Sequence, residues 1–115
     1  MEKKKEFMLL FRFEPSNDYQ PTEADMAAQQ QAWGAFIGNI AIQERLVSTH
    51  QLGFMGKQIF ADNSITEGIS VLANQTLGGN MVVSANDLDH AVEMAKGCPI
   101  LQMGGTVEVR DVVPM

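Results

Sequence analysis

Histidine exchanges protons near neutral pH without help from its surroundings, and this sequence carries two of them, His50 and His90. His50 ends a run of β-forming residues and precedes a glycine-bearing stretch, Gly53 to Gly56. An imidazole there, oriented by Asp62 or Glu67, would serve as a general base. The competing reading is a histidine on the surface of an edge strand, with no chemistry. His90 sits among Asp87, Asp89 and Glu93, where a solvated, charged helix face accounts for it. Arg12 and Arg110 both fall in strand-forming segments. Two guanidinium groups on one sheet face would hold a small carboxylate or phenolate through paired hydrogen bonds. Against this, Glu14 or Glu108 would simply neutralise Arg12 at an interface. The candidates are therefore His50 for catalysis, and Arg12, Glu67, Glu108 and Arg110 for binding a small anionic organic ligand.

Other motifs exclude more than they offer. Cys98 is the one cysteine, so no internal disulfide is expected. No basic neighbour in sequence activates it, and a buried packing thiol is the simpler role. One cysteine and two distant histidines lack the paired spacing of a zinc site, so no metal is expected, and nothing calls for a cofactor. Gly78-Gly79 lacks the Lys and Ser/Thr of a phosphate loop and leads into a strand rather than a helix. A tight turn suffices there. The eight methionines read as filler for a core and an interface.

Positioning these residues falls to 115 residues, the length of one domain, with no linker or repeat to divide residues 1–115. With 45% apolar and 19% charged residues, the chain can bury a core and is not disordered. A net charge of −6, with Arg12, Arg45, Lys57, Lys96 and Arg110 scattered, disfavours nucleic acid and anionic membranes. Lys3-Lys4-Lys5 resembles the start of a targeting signal, but the apolar run Phe7 to Phe11 is too short to complete one or to span a bilayer. The cytoplasm is the expected compartment.

Glu6 to Glu14 reads as a first strand, apolar at Phe7, Leu9, Phe11 and Phe13 and turning polar on its other face at Arg12. Such a strand belongs at the centre of a sheet. Pro15 to Pro21 is a polar connection. Thr22 and Asp25 form a capping box for a helix ending near Arg45, with Met26, Trp33, Ile37 and Ile40 as the apolar stripe and Gln29, Gln30 and Gln43 towards solvent. Strands follow at Leu46 to Leu52 and Lys57 to Ala61, with a turn at Asp62-Asn63-Ser64. Ile65 to Leu72 is an irregular β-rich stretch, and Leu77 to Ser84 a strand entered through the glycine pair. Asn86 caps a second helix carrying Leu88, Ala91, Val92 and Ala95, which Gly97 and Pro99 stop. Thr106 to Val113 closes the chain, with Val107 and Val109 opposite Glu108 and Arg110.

This order predicts an α+β fold: a ferredoxin-like antiparallel sheet with two helices on one face. The uncovered face would expose Met8, Leu10, Val82 and Met103 beside Arg12 and Glu108. Contiguous apolar surface of this kind marks an interface, and a homodimer packed sheet against sheet covers it.

Six segments carry a resemblance to a known family. They are Phe7-Met8-Leu9-Leu10, Trp33-Gly34-Ala35-Phe36-Ile37-Gly38, Arg45-Leu46-Val47-Ser48, Leu77-Gly78-Gly79, Asp87 to Pro99, and Gly105-Thr106-Val107-Glu108-Val109-Arg110. Together, in this order, they resemble the YCII-related family, in the branch named after a DGPF motif. The resemblance implies a ferredoxin-like domain that pairs as a dimeric α–β barrel. The motif itself is degenerate: Glu67-Gly68-Ile69-Ser70 stands in its place, and only the glycine is kept. The histidine that the narrower YCII group carries on its first helix has no counterpart between Thr22 and Arg45.

Two functional readings follow. One is a homodimer that binds a small molecule or regulates a partner, without established catalysis. The other is a lyase that abstracts a proton from a small aromatic or carboxylic acid, with His50 as base and Arg12 holding the anion.

Overall fold

The computed structural model describes residues 5–14 and 22–113. The connection expected over residues 15–21 and the first two lysines of the N-terminal run lie outside the described residues. The elements are β1 (Lys5–Phe13), α1 (Glu23–Ile42), β2 (Leu46–Gln51), β3 (Lys57–Ile59), β4 (Ile65–Glu67), β5 (Thr76–Ala85), α2 (Leu88–Ala95), a short 3-10 helix (Pro99–Met103) and β6 (Thr106–Asp111). Two helices and an antiparallel sheet make the fold α+β. The main sheet runs β2-β5-β1-β6, with β1 central as its two apolar faces require, and β3 and β4 form a separate hairpin. Among the described residues, no helix is long and apolar enough to cross a membrane.

Strand alternation divides the side chains between two faces. Phe7, Leu9 and Phe11 of β1 and Met81, Val83 and Ala85 of β5 are buried beneath the helices. Phe36 and Ile40 of α1 and Ala91 and Ala95 of α2 close this core. Each large side chain so buried contributes about 1.5–3 kcal/mol. The opposite face carries Met8, Leu10 and Val82, all half-buried. Met103, expected on that face, instead belongs to the 3-10 helix on the covered side.

Local chemistry moves several boundaries. Thr22 and Asp25 form the expected capping box, each accepting from the other's backbone N–H at 3.1 and 3.2 Å. The helix stops at Ile42 rather than near Arg45, because Glu44 turns to a φ of 59° and Arg45 N–H bonds back to the Ile40 carbonyl at 3.2 Å. The second helix is capped by Asp87, not Asn86: Asp87 Oδ1 accepts from His90 N–H at 2.8 Å. Asn86 N–H instead donates to His90 Nδ1 at 3.2 Å. Gly68, at a φ of 95°, ends β4 early.

The glycine pair is not a turn. Gly78 and Gly79 lie inside β5. Phe11 faces Gly79 and Arg12 faces Leu77, so Gly78 is the extra residue of a β-bulge. What the pair supplies is space: a Cβ on Gly79 would stand 2.6 Å from the His50 carbonyl oxygen, and one on Gly78 would strike the Phe13 ring.

Candidate functional site

The first ten residues of α1, Glu23 to Ala32, include one large apolar side chain, Met26; the rest are alanine, glutamine and acids. Only Phe36 and Ile40, both in the second half, are buried. A helix with an apolar stripe on half its length packs on half its length, and a cleft of about 460 Å³ opens under the other half. Met26, Gln30, Trp33 and Ile37 line its helical wall, at spacings that share one face. Phe11, Phe13 and Gly78 make its floor. Thr49 and Gln51 of β2, Gln29 of α1, and Ile100 and Met103 of the 3-10 helix complete the rim.

Aromatic rings set the cleft's shape. Phe11 meets Trp33 edge to face at 5.3 Å, and Trp33 meets Phe36 at 6.1 Å. Phe13 lies over Gly78 and packs against Phe54 at 5.9 Å. Among the described residues, the polar side chains of the lining are three glutamine amides and the Thr49 hydroxyl, which donates to the Asn80 carbonyl at 3.3 Å. Among the described residues, no charged side chain lines the cleft.

The residues singled out from sequence lie elsewhere. Arg12, Glu108 and Arg110 come together on the open face of the sheet. Arg12 Nη1 donates to Glu108 Oε1 at 2.7 Å, and Arg110 Nε stands 4.0 Å from the other Glu108 oxygen. The side chains of this trio are a third or more exposed. His50 is exposed on β2 and pairs in register with Asn80, which faces Leu10, which faces Glu108; all four lie on the open face. Glu67 is on the hairpin, bridged to Lys57 at 3.1 Å. Asp62, considered as a partner for His50, accepts from Ser64 N–H at 2.9 Å, and its pKa is lowered by the hydrogen bonds from Ser64. The structure thus gathers Arg12, Glu108 and Arg110, and leaves His50 and Glu67 apart from them and from the cleft.

Cys98 is buried, 2% exposed, and desolvation raises its pKa to about 11. That suits packing and not nucleophilic attack. Among the described residues no cluster of His, Cys, Asp and Glu has the makings of a metal site.

Gln29 and Gln30, expected to face solvent, instead line the cleft; Phe13 is expected only as part of an apolar strand face, and Gln51 is not singled out. One signal was available: Gln30 falls at helical spacing between Met26 and Trp33, on the face expected to pack on a sheet. A polar side chain within an apolar stripe marks a place where the stripe does not close. Nothing local marked Gln51.

A family model described as the YCII-related domain matches residues 6–115. No curated protein matches the chain.

Proposed function

The chain belongs to the YCII-related family, and from that footing we propose that it is a homodimer that binds a small molecule in the cleft beneath α1. The observation that carries this reading is the cleft: it is within the size range of small-molecule sites, walled by Phe11, Phe13 and Trp33, and furnished with a few convergent polar groups. We take the strand order β2-β5-β1-β6 with both helices on one face as the ferredoxin-like plan, and the half-buried Met8, Leu10 and Val82 as the surface through which two sheets pair into a barrel. Within the family we assign the chain to the DGPF-motif branch, on Leu77-Gly78-Gly79 and the Asp87 to Pro99 segment, with a degenerate motif at Glu67-Gly68-Ile69-Ser70. A lyase with His50 as base is the weaker reading, because His50 and the cleft lie on opposite faces of the sheet.

Two measurements test this. Sedimentation should give about twice the 12.6 kDa chain mass, and Leu10→Glu should halve it. A thermal-shift screen of small organic compounds should give hits whose shift grows with concentration over Kd. Those shifts should persist in Arg12→Ala and vanish in Met26→Trp, which fills the cleft from an exposed helix position. A monomeric native protein overturns the dimer; a screen without hits overturns the binding reading.

A further inference from the structure

Resting on that binding reading, we propose that the cleft selects an uncharged aromatic ligand bearing an amide or lactam edge, and rejects organic anions. The argument begins with charge. A carboxylate or phenolate leaving water needs a cation or several hydrogen-bond donors aimed at it, and otherwise binds weakly or not at all. Among the described residues none of the cleft's lining is cationic, and their basic side chains are occupied elsewhere. Arg12 and Arg110 stand at Glu108, Lys57 at Glu67 and Lys96 at Glu93. Arg45 Nη1 donates to the Ser84 carbonyl at 3.2 Å, and Lys5 lines a separate groove with Asp87 and Asp111. The described lining is equally short of carboxylates, so a cationic ligand fares no better.

Its walls say what does fit. Phe11, Phe13 and Trp33 present ring faces and edges to whatever enters, which favours a flat, aromatic body. Gln29, Gln30 and Gln51 stand on two sides of the opening, from α1 and from β2. A glutamine amide offers two donors and an acceptor on one planar group, and its best complement is another amide edge. A site whose polar side chains, among the described residues, are primary amides and one hydroxyl is matched to a neutral carboxamide or lactam. About 460 Å³ leaves room for one or two fused rings.

Matched pairs of ligands differing only in charge test this directly. Benzamide against benzoate, and 2-naphthamide against 2-naphthoate, are titrated calorimetrically into the intact protein at neutral pH. Each amide is expected to bind at least about tenfold more tightly than its acid. Gln30→Leu with Gln51→Leu should cut amide affinity at least about fivefold while leaving toluene binding unchanged. If the acids bind as well as the amides, the ligand class is wrong while the small-molecule reading stands. An amide preference untouched by the glutamine variants removes the cleft as its source. Failure of all five probes, together with a thermal-shift screen without hits, overturns both.

Discussion

Replacing Gly79 with alanine places a methyl group 2.6 Å from the His50 carbonyl oxygen, where ordinary van der Waals contact begins at 3.4 Å. The obstacle is backbone, hydrogen-bonded into the same sheet, so β2 and β5 must part by the difference, about 0.8 Å. Overpacking of this kind costs about 1–3 kcal/mol. Alanine's less flexible unfolded chain returns about 0.4–1 kcal/mol of that. Neither Gly78 nor Gly79 has a positive φ, so alanine's backbone is tolerated at both and space alone decides. The net loss expected for Gly79→Ala is about 1.3 kcal/mol. Gly78→Ala is the matched control, since its Cβ meets a side chain: Phe13 Cδ1 lies 2.7 Å away, with Cε1 closer still. The ring is half-buried and can swing aside, so the loss there should be about 1 kcal/mol or less. The assay is urea unfolding followed by the fluorescence of Trp33, the chain's one tryptophan. With a slope of about 1–2 kcal/mol/M, the Gly79→Ala midpoint should fall by roughly 0.7–1.3 M. A Gly79→Ala protein within about 0.5 kcal/mol of the parent, or a larger loss for Gly78→Ala, would refute the packing argument.

Three further outcomes follow from the geometry. Asp87→Ala should cost about 1 kcal/mol in the same unfolding assay and Asn86→Ala clearly less, because only Asp87 caps α2; the reverse ranking would return the cap to Asn86. A double-mutant cycle on Arg12 and Glu108 should give a coupling of roughly 0.2–1 kcal/mol that fades with salt, as befits a partly exposed pair. Cys98 should resist thiol reagents until the protein unfolds. Its pKa is raised in the folded state, so the unfolded chain loses its proton first. Stability should therefore decline as pH rises from the ordinary 9.0 through about 11, and Cys98→Ala should flatten that decline.

Much of the fold is written in local patterns. The alternation in β1 marked a central strand, the Thr22–Asp25 spacing marked the start of α1, and Gly97 with Pro99 marked the end of α2. What escaped was decided by contacts distant in sequence. The glycine pair resembles a turn until the His50 carbonyl and the Phe13 ring are seen to need the room. Asn86 and Asp87 are both good caps, and only backbone geometry chooses between them. The cleft was hidden for a related reason. Titratable residues attract notice in a sequence, whereas this cleft is built from aromatic rings and glutamines that look like core and surface until α1 is placed over the sheet.

The claim that matters most is where a ligand sits, and the amide nitrogens can report it. In a ¹H–¹⁵N spectrum of the labelled protein, the one indole signal is that of Trp33. On titration with a hit from the thermal-shift screen, that signal and the side-chain amides of Gln29, Gln30 and Gln51 should move together, while the backbone signals of Leu10 and Arg110 stay in place. Movement at Leu10 and Arg110 with a silent Trp33 indole would put the site on the open face of the sheet and contradict the assignment to the cleft.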